Sequence, residues 1–143
     1  MTKHTFLLAV FLVCSVTFSQ TKKFKDIAEV QAFTKKTAND FLNKDFQSVF
    51  NNMKPYWALA ENEVDSLKIK TERFKDYFNE NLGKNIDVVK IKETNLKNVL
   101  YKEVYAIRYE DYILRVVMSF YNSSFGWAIK TFEWDDNIQS ELD

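Results

Sequence analysis

One feature constrains this chain more than any other: its hydrophobic period changes at Gly83. Between residues 27 and 82 the apolar side chains recur every three or four positions, and from residue 86 to 134 they alternate. A spacing near 3.6 marks one stripe of a helix, and a spacing of 2 marks one face of a strand. The order is therefore helices first and a run of strands after them, with no Gly-, Ser- or Pro-rich linker between the halves.

In the first half, Ile27, Val30, Phe33, Thr37 and Phe41 form the stripe of an amphipathic helix, with Lys35, Lys36 and Asn39 facing outward. Asp45 is placed to cap a short second helix carrying Phe46, Val49, Phe50 and Met53. Lys54-Pro55 is expected to end it, because the residue before proline is disfavoured in the α region. The connector PYWALA turns Tyr56, Trp57 and Leu59 inward. A third helix is expected from about Glu61, with Val64, Leu67, Thr71, Phe74, Phe78 and Leu82 on one face. Gly83 then stands where a helix end takes a positive φ.

The second half reads as strands over Ile86 to Glu93, Val99 to Tyr109, Tyr112 to Tyr121 and Phe125 to Trp134, with turns at Glu110-Asp111 and Asn122-Ser123-Ser124. Tyr112, Leu114, Val116, Met118 and Phe120 fall on one face of the third, and Trp127 and Ile129 on one face of the last. The polar tail from Asp135 is expected to fray. The fold class is α+β: three N-terminal helices packed on an antiparallel sheet of about four strands.

The N-terminus has the pattern of an export signal. Lys3 is followed by an apolar run from Phe6 to Val16, and Thr17 and Ser19 occupy the −3 and −1 positions of a cut before Gln20. The run is far short of the roughly 20 residues that span a bilayer as a helix. Residues 1–19 are thus expected to be a cleaved signal peptide, and residues 20–143 a single exported domain, periplasmic or secreted. An alternative is lipid attachment at Cys14, although Val13 stands where such signals carry a small residue.

Cleavage would remove the only histidine, His4, and the only cysteine, Cys14. The remainder then has no Ser-His-Asp triad, cysteine nucleophile, zinc finger or disulfide. Any catalysis falls to raised carboxylates, lysine, tyrosine or a carboxylate-bound metal. With two glycines in the chain there is no phosphate-cradling loop. Twenty basic and twenty acidic residues balance, which argues against nucleic acid and against an anionic membrane surface as partners. No cofactor is implied. The 13 Phe, 7 Tyr and 3 Trp supply a core that holds by packing alone.

Three stretches carry a family resemblance: ANDFLNKDFQSVFNNM (Ala38 to Met53), YFNENLGKNIDVVKI (Tyr77 to Ile91) and GWAIKTFEW (Gly126 to Trp134). Together they resemble the NTF2-like superfamily of cystatin-like α+β folds, and within it the small exported bacterial domains of unknown function. Ala128 departs from the charged or polar residue usual in that closing strand. The resemblance implies a curved sheet wrapped around the helices, in the manner of a cone, often with a cavity between the layers. Its members include isomerases, dehydratases, carriers and catalytically silent domains, so fold alone assigns no activity. No catalytic residue carries over, because no motif here matches the aspartate and tyrosine set of the isomerases.

The aromatic residues Tyr56, Trp57, Tyr105 and Trp127, with Tyr109 and Trp134, are candidates to line a pocket for a small apolar ligand. The competing reading is ordinary core. Asp40, Asp45, Asp65, Asp76, Asp87 and Asp111 fall at caps, turns or solvent faces, and Asp135-Asp136 lacks the alternating spacing of a calcium loop. The leading expectation is a non-enzymatic domain that binds a small apolar ligand or a protein partner. A homodimer is expected through the sheet face bearing Ile113, Val117 and Tyr121. The alternative is an isomerase or dehydratase, which requires a buried carboxylate within reach of a tyrosine hydroxyl. A third reading, a purely structural interaction module, requires a filled interior and an apolar outer sheet.

Overall fold

The computed structural model describes residues 21–143. The expected signal peptide, its expected cut before Gln20 and the Cys14 alternative fall on residues 1–20 and lie outside the described residues. No described helix is long and apolar enough to cross a membrane.

The chain is α+β, with the helices preceding the strands. Helix α1 (Ile27–Leu42) starts at Asp26, whose carboxylate accepts from the Glu29 N–H. Asp45 caps α2 (Phe46–Met53) in the same way, accepting from the Ser48 N–H. In each case a side-chain oxygen satisfies an amide that the first turn leaves without a partner. The expected stop at Lys54-Pro55 needs correction. Lys54 keeps helical dihedrals, φ −46° and ψ −49°, and a 3₁₀ turn runs over Lys54–Tyr56. Pro55 fits there because the first turn makes no demand on the N–H it lacks.

The single third helix expected from residue 61 to 82 is two: α3 (Glu61–Glu72) and α4 (Lys75–Asn81). The ladder breaks at Phe74, whose N–H reaches back only to the Thr71 carbonyl, at 3.0 Å. At the same point Trp134 donates its indole N–H to the Thr71 hydroxyl at 3.0 Å. The break points Phe78 and Leu82 into the core and leaves Phe74 and Tyr77 exposed. Gly83 follows with φ +75°, and the Asp111 N–H donates to the Leu82 carbonyl.

Four strands form one antiparallel sheet in the order β1-β2-β3-β4: β1 (Asn85–Leu96), β2 (Leu100–Tyr109), β3 (Ile113–Ser123) and β4 (Gly126–Asp135). Lys97 and Asn98, both at positive φ, make the tight turn between β1 and β2. Bulges at Ile91 and Lys130 shift the register by one residue. The second bulge puts Trp127, Ile129, Phe132 and Trp134 on the same inner face, which strict alternation forbids.

The inner face carries Tyr101, Tyr105, Ile107, Leu114, Val116, Met118 and Phe120 against α1 and α2, in one continuous apolar cluster. Phe24 closes the layer from the N-terminal side. It pairs with Trp127 through backbone hydrogen bonds of 2.8 and 2.9 Å and stacks on Tyr56 at 4.0 Å. A Cβ at Gly126 would meet the Phe24 carbonyl oxygen at 2.6 Å, so this approach requires glycine.

The tail does not fray as expected. A 3₁₀ turn at Ile138–Glu141 folds back onto the outer face of the sheet. Arg115 on β3 holds it, donating to Asp135 at 2.7 and 2.9 Å, Ser140 at 2.8 Å and Glu141 at 2.6 Å. One guanidinium fork thus ties strand, turn and tail together.

Candidate functional site

Two places bring polar and aromatic chemistry together, and they differ in their access to solvent.

The first is a polar network on the inner face between α1, β1 and β2. Glu103 sits on the β2 face that otherwise carries Tyr101, Tyr105 and Ile107, and it is 0% exposed. Its Oε1 accepts from the Tyr101 hydroxyl at 2.6 Å and from Lys90 Nζ at 3.3 Å. Its Oε2 accepts from the hydroxyl of Thr34 on α1. The Tyr105 hydroxyl lies 3.3 Å from Thr34 Oγ1, and Gln31 donates to Tyr101 at 3.2 Å and to Glu93 at 3.3 Å. Burial and donation to the carboxylate push the Tyr101 phenol far above its ordinary value, and burial pushes Tyr105 up to about 12. Both phenols stay protonated as donors across the physiological range.

This is a buried carboxylate within reach of tyrosine hydroxyls, the juxtaposition that the isomerase or dehydratase alternative requires. Nevertheless both oxygens of Glu103 are engaged by protein donors, and Thr34, Tyr101 and Tyr105 are themselves buried. A general base must reach the proton it abstracts, and this one is spent on its own fold. Its chemistry is that of a satisfied buried charge clamping α1 to the sheet.

The second is an open groove of about 380 Å³ between α4 and the ends of β3 and β4. Phe78, Leu82 and Leu114 form its floor. Its walls are aromatic: Phe74 at the N-terminal cap of α4, Tyr77 from α4, Tyr112 just before β3, and Trp134 from β4. Phe74 and Phe78 meet the Trp134 ring edge-on at 5.1 and 5.3 Å, which fixes the indole. Phe74, Tyr77 and Tyr112 are 46, 58 and 47% exposed. The two charged residues on the rim are Asp135 and Asp136. Arg115 neutralises Asp135 and holds its carboxyl below the usual range. Asp136 accepts from the Tyr112 hydroxyl at 2.9 Å and has no ion-pair partner among the described residues. That bond and the carboxylate charge raise the Tyr112 pKa.

The four aromatic residues singled out in the sequence do not surround one cavity. Trp57 pairs with Ile129 through a backbone bridge and faces a cleft of about 530 Å³ beside Lys54, Leu59 and Val64. Tyr56 is half-buried and stacked on Phe24. Tyr105 belongs to the Glu103 network, and Trp127 is core, edge-on to Tyr101 at 6.2 Å. Of the groove aromatics, Phe74 and Tyr112 fall in the helix and strand stripes of the sequence, and Tyr77 lies off the helix stripe. The stripe from Val64 to Leu82 carries no signal of the break, since its three- and four-residue spacing runs on through Phe74. Among the described residues no group of three or more His, Cys, Asp or Glu side chains is placed to hold a metal ion.

No family model, curated protein or solved structure matches the chain.

Proposed function

We propose that this chain is an exported, non-enzymatic domain of the NTF2-like kind, its sheet curved around the helices, that binds a small ligand with apolar surface in the α4 groove. One observation carries the reading. A chain that packs most of its aromatic rings inside leaves Phe74, Tyr77 and Tyr112 open on one concavity. Exposed large apolar side chains scattered singly need no explanation, but three rings converging on one groove do. Its volume lies in the range of ligand sites, roughly 300–1,000 Å³. The closed Glu103 network supports a binder over an isomerase or dehydratase.

Native mass spectrometry of the mature protein from its exported fraction, together with titration of the neutral fluorescent probe N-phenyl-1-naphthylamine, tests this. The expected result is saturable probe binding that Tyr77→Ala abolishes without altering the circular dichroism spectrum. No probe binding, and protein bare of any small molecule, overturns it.

The outer sheet face supports a homodimer as the protein partner. Val89, Leu100 and Tyr121 are exposed there with half-buried Val117, while Ile91 and Ile113 border the cleft against the C-terminal tail. Lys90, Lys92, Glu93 and the bulge at Ile91 guard the β1 edge against strand addition, so pairing is expected face to face. Val117→Lys should convert a dimer to a monomer in sedimentation velocity. Wild-type protein that stays monomeric at high concentration refutes it.

A further inference from the structure

We propose that the occupant of the α4 groove is a free organic cation, a small alkylated ammonium compound with an apolar body; this rests on the groove being a ligand site. The electrostatics of the walls select it. No lysine or arginine is among the residues lining the groove, and both charged side chains on its rim are carboxylates. Asp135 is already matched by Arg115, whose side chain starts from the outer face of β3 and turns to the tail. Asp136 is left with only the Tyr112 hydroxyl, a neutral donor.

A neutral apolar ligand can pack on the rings but offers nothing to the rim carboxylate whose water it displaces, so it binds more weakly than a cation of the same shape, and an anion would be repelled. An alkylammonium ion satisfies Asp136 and is also drawn to the ring faces. Cations within about 6 Å of a tyrosine, phenylalanine or tryptophan ring gain from its quadrupole, and desolvation strengthens the gain. Tyr77, Tyr112, Phe74 and Trp134 reach the groove from separate parts of the chain, so aromatic side chains border one volume. Trp134 is the most fixed of them, held by the Thr71 hydrogen bond and the two edge-on phenyl rings.

The test compares choline with its neutral isostere 3,3-dimethylbutan-1-ol on the mature protein. Calorimetry gives the affinities, and the Trp134 indole N–H shift in NMR spectra gives the place. Choline is expected to saturate and shift that resonance, with the isostere about ten-fold weaker or more. Asp136→Asn, a surface change that should leave the fold intact by circular dichroism, is expected to weaken choline several-fold and leave the isostere unchanged. Equal affinities, or an unchanged choline affinity in Asp136→Asn, overturn the cation assignment while the groove remains a ligand site. Failure of choline, the isostere and the neutral naphthylamine probe overturns both. Flotation with phosphatidylcholine vesicles in place of binding to free choline overturns the assignment to a free solute.

Discussion

Glu103→Ala is the sharpest test of what the buried network does. The carboxylate accepts from Tyr101, Thr34 and Lys90, and truncation removes all three bonds at once. Breaking a buried, hydrogen-bonded charge pair from one side costs about 3–5 kcal/mol. Two features place this site at the low end, about 3 kcal/mol. The Lys90 side chain is 33% exposed and keeps Glu93 at 3.0 Å, so its charge is not stranded. Thr34 also retains the Gln31 carbonyl at 3.0 Å as an alternative acceptor. Glu103→Gln keeps the volume and one acceptor oxygen and loses only the charge-assisted part, about 1–2 kcal/mol. Urea denaturation followed by tryptophan fluorescence and far-ultraviolet circular dichroism measures both from the shift in midpoint at constant slope. An Ala variant within about 0.5 kcal/mol of wild type refutes the clamp, as does a Gln variant as costly as Ala. A folded Gln variant that loses ligand binding would instead make Glu103 part of the functional site, since no residue of the network lines the groove.

Gly83→Ala should destabilise by about 1–2 kcal/mol, since φ is +75° and the new Cβ falls 3.0 Å from Glu110 Cβ; a thermal midpoint equal to wild type refutes this. Arg115→Met should release the tail, so that the Leu142 amide, bonded to Gln139 at 3.0 Å, exchanges with solvent several-fold faster while the β2–β3 amides do not. Stability should form a plateau in pH. Arg108 holds Asp87, Arg115 holds Asp135 and Glu141, and Lys90 holds Glu93 below their ordinary values. Their contributions are complete above about pH 4–5 and fade as pH falls through the folded-state values. Burial raises Tyr101, Tyr105 and Tyr109, so their contributions are complete below about pH 10 and are lost as pH climbs toward the folded-state values. A urea midpoint that rises between pH 10 and 11 contradicts this.

The residues by themselves determined the class of the fold and most of its elements. The change from a period near 3.6 to one of 2 at Gly83 needs only local geometry, and Asp26 and Asp45 cap helices through bonds spanning three residues. Long-range packing decided the rest. The stripe from Val64 to Leu82 is continuous in sequence, but Trp134, 63 residues beyond Thr71, anchors the point where the helix breaks and Phe74 and Tyr77 turn outward. The bulge at Lys130 shows in the sequence only as a change of parity, from Trp127 and Ile129 to Phe132 and Trp134, and the shift against β3 is what brings both pairs to one face. Glu103 shares the parity of Tyr101, Tyr105 and Ile107, so alternation sets a carboxylate among inward residues without showing what receives it. Only the approach of Thr34, 69 residues away, makes it the buried acceptor of the core. The tail is polar, and polarity alone says fray; a single arginine 20 to 26 residues earlier orders it. Local periodicity and capping are written in neighbours a few residues apart, whereas a groove or a buried charge is set by partners that meet only when the chain has folded.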